Sequence, residues 1–196
     1  MTQSTRAELR RRILDAARTI LRSNGIRAVT MTEVGHAAGC TRQMVYKVFF
    51  DRRELVLAAV IDRIMEIADD AAGTAEPGDT FHESFVELSV KVIEALRNDP
   101  ELTALWGDGS PITAHEALWA PELTERALQF WRPWLDYGRD RRLLRDDLSN
   151  HDLADWIHTV YASIILRRNM PQHQERILIE RFVMTSLTMA TTPSGA

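Results

Sequence analysis

Residues 30–55 read TMTEVGHAAGCTRQMVYKVFFDRREL, and the cap signals inside this stretch decide the fold. Thr30-Met-Thr-Glu33 is a capping box, in which the threonine hydroxyl can accept from the amide at Glu33 while the carboxylate reaches back. It opens a short helix with Val34, Ala37 and Ala38 expected on the inner face, and Gly39 stops it. Thr41 can cap a third helix with Val45, Val48 and Phe49 inward, and Asp51-Arg-Arg-Glu54 is a cap-like start for a fourth. Two short helices joined by a tight glycine-containing turn, with a longer helix in front, form a helix-turn-helix pattern.

Working outward, Thr5-Arg-Ala-Glu8 is another capping box and should start helix 1. Its apolar positions Leu9, Ile13, Ala16, Ala17, Ile20 and Leu21 keep helical spacing, Arg10, Arg11, Arg18 and Arg22 lie mostly off that stripe, and Asn24-Gly25 ends it. On the other side, Leu55 to Ile61 (LVLAAVI) has no polar residue over seven positions and must be covered on more than one side. The start of helix 4 is therefore expected beneath the third helix, and Ile64, Met65 and Ile67 in a second domain.

Over residues 5 to about 60 the chain closely resembles the DNA-binding module of the tetracycline-repressor (TetR) family of bacterial regulators. The resemblance rests on helix 1, Gly25, the Ala37-Ala38-Gly39 turn, the Val45-Tyr46 pair, Phe49 and the Arg52/Glu54/Leu55 start of helix 4. It implies a homodimer of two-domain, all-helical subunits whose C-terminal domain binds a small molecule and controls affinity for a double-stranded DNA operator. It also implies that Tyr46 and Arg52 occupy phosphate-contacting positions. Three residues depart from the family's common pattern: Val48 replaces a histidine, Met44 a threonine and Cys40 a valine.

Independently of that likeness, a 3.6-residue helix places Arg42, Gln43, Tyr46 and Lys47 away from Val45, Val48 and Phe49, where they can enter a groove. Arg42 and Lys47 can donate to guanine O6 and N7, Gln43 can pair with adenine, and Met44 can lie against a thymine methyl. Thr30, Thr32 and Thr41 sit at helix starts, where hydroxyls and free amides suit anionic oxygens. For each side chain the alternative is an ordinary solvated surface position.

The charge distribution agrees with a polyanion-binding end. Among 196 residues the formal net charge is −4, yet residues 1–60 carry eleven basic and five acidic groups, and the remainder thirteen and twenty-three. A basic module is joined to an acidic one, which is either a functional asymmetry or a plain solvated acidic surface. Of the basic residues 22 are Arg and 2 are Lys; Arg suits bidentate recognition of phosphate and guanine. Cys40, the single cysteine, cannot form an internal bridge and excludes a zinc site built mainly from thiolates. It reads as a small buried apolar residue, with redox sensing as the alternative. No apolar run is long enough to span a bilayer and no signal core opens the chain, so a cytoplasmic protein without a membrane partner is expected.

Beyond helix 4, Gly73 to Thr80 reads as a loop, helix 5 runs to about Asn98, and Asp99-Pro100 caps another short helix that Gly107-Asp-Gly109 and Pro111 break. Pro121 should open a long helix, kinked by Pro133. Trp106, Trp119, Trp131 and Trp134 fall within 29 residues. They suit the wall of a small-molecule pocket with Asp108, His115, Glu116 and Tyr137 as polar candidates, or equally core packing.

The helices at about 149–168 and 172–190 are apolar on more sides than one core can cover. They are expected to form a four-helix dimer interface through Trp156, Val160, Ile164, Leu178 and Phe182, a broad internal core being the alternative. Residues 191–196 read as a disordered tail.

Enzymatic chemistry has no motif to rest on. His115-Glu116 lacks the second histidine of a zinc-protease helix, and there is no phosphate loop or nucleophile elbow, so no catalytic residue, metal or cofactor is expected. The expected fold is all-α: a three-helix helix-turn-helix DNA-binding domain over residues 1–55, then a larger helical ligand-binding and dimerisation domain over 56–196. The expected function is a transcription regulator, most often a repressor, released from a palindromic operator by a small apolar or aromatic effector. The alternative is a non-specific architectural DNA-binding protein without an effector.

Overall fold

The structure, a computed structural model, describes residues 3–75, 78–105, 109–167 and 170–188, with side chains from Thr5 onward except at 105. Among the described residues every regular element is helical. Trp106, Asp108 and the tail at 191–196 lie outside them. In chain order the elements are α1 (Gln3–Asn24), a 3-10 turn (Ile26–Ala28), α2 (Met31–Ala37), α3 (Arg42–Tyr46), α4 (Arg52–Gly73), α5 (Phe81–Asn98) and α6 (Pro100–Leu105). They continue with α7 (Ala114–Leu118), α8 (Pro121–Asp140), α9 (Asn150–Leu166), α10 (Gln172–Leu178), a π turn (Ile179–Val183) and α11 (Met184–Leu187).

The chain forms two compact units, Met1–Ile64 with Asn98–Ala117, and Met65–Arg97 with Leu118–Ala196. This differs from a division after residue 55 in two ways. Helix α4 is unbroken, so the change of unit falls inside it, and the chain returns to the first unit at α6.

The first unit is built on Leu9, Ile13, Leu14, Ala17 and Leu21 of α1 with Val34, Val45, Phe49 and Leu55, all buried. Helix α1 starts two residues before Thr5, Leu14 joins the buried stripe and Ile20 is half-buried. Ala37 is exposed, contrary to the sequence expectation. Met31, Val34 and Gly35 hold the inner face of α2 at i, i+3 and i+4, which turns Ala37 to the far side.

Four charged groups seal the contact of α1, α4 and α6. Arg18 meets Glu101 at 2.9 Å, and Arg63 meets Asp99 at 2.6 Å and Glu101 at 3.7 Å. Asp99 also accepts from the Leu102 amide at 2.8 Å, capping α6 ahead of Pro100 as expected. Buried charges persist only when paired and hydrogen-bonded in this way.

In the second unit, α5, α8 and α9 bury Phe85, Leu88, Val92, Ile93, Leu135, Leu153, Ile157 and Ile164. Trp131 lies 5.0 Å from Phe85 and 5.7 Å from Tyr161, ring centroid to centroid. Tyr161 donates to Ser89 Oγ at 2.5 Å and Ser89 to the Phe85 carbonyl at 2.6 Å, so this buried polar chain is satisfied. Helix α8 continues through Pro133. Arg97 donates to the Ile164 carbonyl at 2.8 Å and pairs with the buried Glu175, fixing the end of α9 against α10.

Candidate nucleic-acid interface

Helix α3 is short, and its neighbours hold it in place. Thr30 Oγ1 accepts from Glu33 N and Thr41 Oγ1 from Met44 N, both at 3.2 Å, so each hydroxyl keeps its own proton for an outside acceptor. Between them Gly39 turns at φ +64°, a left-handed conformation that glycine adopts without strain. Cys40 N then bonds the Gly35 carbonyl at 2.9 Å. A Cβ on Gly35 would lie 3.2–3.3 Å from Cys40 O, Arg42 N and Val45 Cγ2, so the closeness of α2 to α3 depends on its absence.

Val45 and Phe49 anchor α3 from below, and the amide of Phe49 bonds the Val45 carbonyl at 2.9 Å. This leaves Thr32, Thr41, Arg42, Gln43, Tyr46 and Lys47 exposed, with Met44 and Val48 half-buried. Arg42 and Tyr46 are already paired: Nη2 donates to the phenol oxygen at 3.3 Å, and the guanidinium stands 5.4 Å from the ring centre. A flat, donor-rich edge is thereby presented outward on one turn of helix.

Arg52 is placed differently from a free phosphate contact. Nε donates to the Val29 carbonyl and Nη2 to the Ile26 carbonyl, both at 2.6 Å, tying the start of α4 to the turn after α1. Asp51 Oδ1 accepts from Glu54 N at 2.8 Å, and Glu54 returns a carboxylate oxygen to Phe50 N at 2.5 Å. The reciprocal cap leaves the Phe50 side chain 84% exposed between α3 and α4.

Glu116 of α7 accepts from Arg53 at 2.6 Å and from Thr113 N at 2.7 Å. The arginine above all, and then the threonine, hold its carboxyl at about 2. Sequence reading passed over this helix, although Thr113-Ala-His-Glu116 is itself a capping box.

The ligand candidates do not converge. His115 and Glu116 lie exposed in the first unit, while Trp119, Trp131, Trp134 and Tyr137 belong to the second. There Trp131 is core, whereas Trp134 and Tyr137 line a cleft of about 390 Å³ with Phe81, Pro133, Thr80 and Asp79. Trp119 lines a separate cleft of about 320 Å³ beside Pro121, His151 and Asp155, its ring 5.8 Å from that of His158. Tryptophan clustering in sequence has thus been spread over a core and two surfaces.

Of the dimer candidates, Phe182 is 61% and Trp156 44% exposed, with Val160 and Leu178 half-buried. Trp156 Nε1 donates to Ser186 Oγ at 2.7 Å, placing α9 beside α11. Ile164 is corrected: it is buried within its own unit and offers no surface to a partner, because α9 turns that side toward the chain's own core.

Residues 13–59 match the family described as bacterial regulatory proteins, tetR family. Residues 13–59 therefore carry a tetR-type DNA-binding module. A helix-turn-helix-type transcriptional regulator of Mycobacterium tuberculosis is 25% identical to this chain over 185 residues, 92% of the chain and 86% of the relative. Among solved structures, the TetR-family transcriptional repressor QsdR of R. erythropolis aligns with a TM-score of 0.73 at 17% identity, covering 93% of this chain and 97% of its own. The TetR-family repressor AlkX of Dietzia sp. aligns at 0.68 and 23% identity, covering 90% and 95%. The fold of this chain is therefore shared with these structures along nearly its whole length. Among the described residues no helix is long and apolar enough to cross a membrane, and no cluster of His, Cys, Asp and Glu is arranged to hold a metal ion.

Proposed function

We propose that this chain is a TetR-family repressor that binds a palindromic operator as a homodimer in the cytoplasm and is released by a small apolar or aromatic effector. The carrying observation is α3: Arg42, Gln43, Tyr46 and Lys47 exposed together on a helix anchored by Val45 and Phe49. A rigid helix with base-edge donors on its free face supports direct readout of a major groove. The homodimer is supported by Phe182 and Trp156, large apolar side chains exposed near the chain's last helical turns. The effector is supported by the aromatic cleft of the second unit, on a different part of the chain from the reader.

The test is selection of duplexes from a random library by the full-length protein at physiological salt. Two matching half-sites about one helical turn apart are the expected product. A recovered pool with no sequence enrichment, competed fully by unrelated DNA, would replace this reading with a non-specific architectural binder.

A further inference from the structure

Asp79 stands at the rim of the cleft lined by Phe81, Pro133, Trp134 and Tyr137, and its carboxylate has no hydrogen-bond or ion-pair partner among the described residues. The other polar groups of the rim are engaged. Thr80 and Glu83 cap α5 reciprocally, and Ser84 Oγ accepts from the Gly78 amide at 2.8 Å and approaches the Thr80 carbonyl at 2.9 Å. The cleft therefore combines an aromatic wall with one free negative charge, and offers no free positive group on its lining.

The aromatic wall already holds a cation. Arg141 places its guanidinium 3.9 Å from the centre of the Tyr137 ring, and Phe81 stacks on that ring at 5.9 Å with planes 18° apart. Tyr137 is thus largely engaged. Trp134 touches Phe81 and Phe85 by tilted and edge contacts, at 6.2 Å in each case, and it lines the cleft half-exposed. Indole is the strongest of the aromatic partners for a cation. The thirteen basic and twenty-three acidic groups after residue 60 add a field that draws cations toward this part of the chain.

We infer that this cleft binds an organic cation with an aromatic or compact apolar body, its charge facing Asp79 and Trp134 and its body against Phe81 and Pro133. The volume of about 390 Å³ lies near the small end of the range usual for ligand pockets, roughly 300–1,000 Å³, which fits a compact ligand. This deepens the effector reading above by naming a place and a charge, and it can stand or fall separately from the control of DNA.

The test titrates benzyltrimethylammonium and its uncharged isostere neopentylbenzene into the full-length protein without DNA, followed by calorimetry and tryptophan fluorescence. The cation should bind saturably and at least tenfold more tightly than the isostere. Asp79→Asn should bring the cation down to the isostere's level and leave the isostere unchanged. Asp79 is exposed, so that substitution spares the core; Trp134→Leu is the second variant and should remove saturable heat for both compounds. Equal affinity for the two compounds, no saturable binding of the cation, or an Asp79→Asn variant that binds the cation as before would overturn the inference. Operator affinity is then measured with and without the cation. Binding that leaves operator affinity unchanged supports the site while removing it as the seat of effector control.

Discussion

Arg18 of α1 and Glu101 of α6, 83 residues apart in sequence, meet at 2.9 Å with side chains only 13% and 4% exposed. Arg63 approaches the same carboxylate from α4 at 3.7 Å. Glu101→Ala would leave two arginines facing a partly buried gap. Removing one partner of a buried pair typically costs about 3–5 kcal/mol, far more than an exposed pair is worth. The expected result is a clear drop in the urea midpoint with the slope unchanged. Stability within about 0.5 kcal/mol of the parent would show that this network is not closed in solution.

Base reading and bracing should separate by mutation. Arg42→Ala or Lys47→Ala should cost about 1–3 kcal/mol on a selected operator and alter base preference, while leaving the fold intact. Arg52→Ala removes two hydrogen bonds from a charged donor to Ile26 and Val29, each worth about 1.5–3 kcal/mol. It should therefore lower the melting temperature as well as DNA affinity. A variant melting like the parent, with only its salt dependence flattened, would return Arg52 to a purely phosphate-contacting role.

Charge placed on the proposed dimer face should behave differently at two positions. Phe182→Glu changes a residue that is 61% exposed, so the expected outcome is a folded monomer of about 22.4 kDa by light scattering. Ile164→Asp puts an unpaired carboxylate into the chain's own core and should unfold the second unit. A Phe182→Glu protein that remains dimeric at micromolar concentration would move the interface elsewhere.

Burial holds the pKa of His158 below its ordinary 6.5, against opposing pulls from the Leu118 carbonyl, 2.7 Å from Nε2, and from Asp155. The folded chain thus prefers the neutral ring, and the unfolded chain takes up protons first as pH falls. No penalty applies well above 6.5; it grows as pH drops below that value and levels once the folded ring is itself protonated. Denaturant midpoints between pH 7 and 5 should fall less steeply in His158→Gln than in the parent. Parallel profiles would exclude this ring from the acid response.

What could be read from the sequence was what neighbouring residues decide among themselves. Thr30, Thr41 and the Asp51/Glu54 pair cap their helices as spacing implies, because a cap is a contact over three or four residues. Gly39 likewise shows itself locally. Arg52 could not be placed, since its acceptors at Ile26 and Val29 lie 26 and 23 residues away and are backbone atoms without a signature. The tryptophans illustrate a different limit: an aromatic run reports that large surfaces meet, and not whether they close as core around Trp131 or leave a cleft beside Trp134. A wide apolar stripe has the same ambiguity, and Ile164 and Phe182 fall on opposite sides of it.

The return of α6 to the first unit makes that unit discontinuous along the gene. A chimera joined at residue 55 would leave behind both Arg63 and the carboxylates at 99 and 101, and with them the Arg18–Glu101 ion pair. A graft that carries residues 1–64 and brings 98–117 back as a second crossover transfers the whole charge cluster. Recombination between such regulators is thus constrained at two breakpoints, and a single exchange point should yield soluble hybrids only where the recipient supplies acidic residues of its own at the corresponding turn.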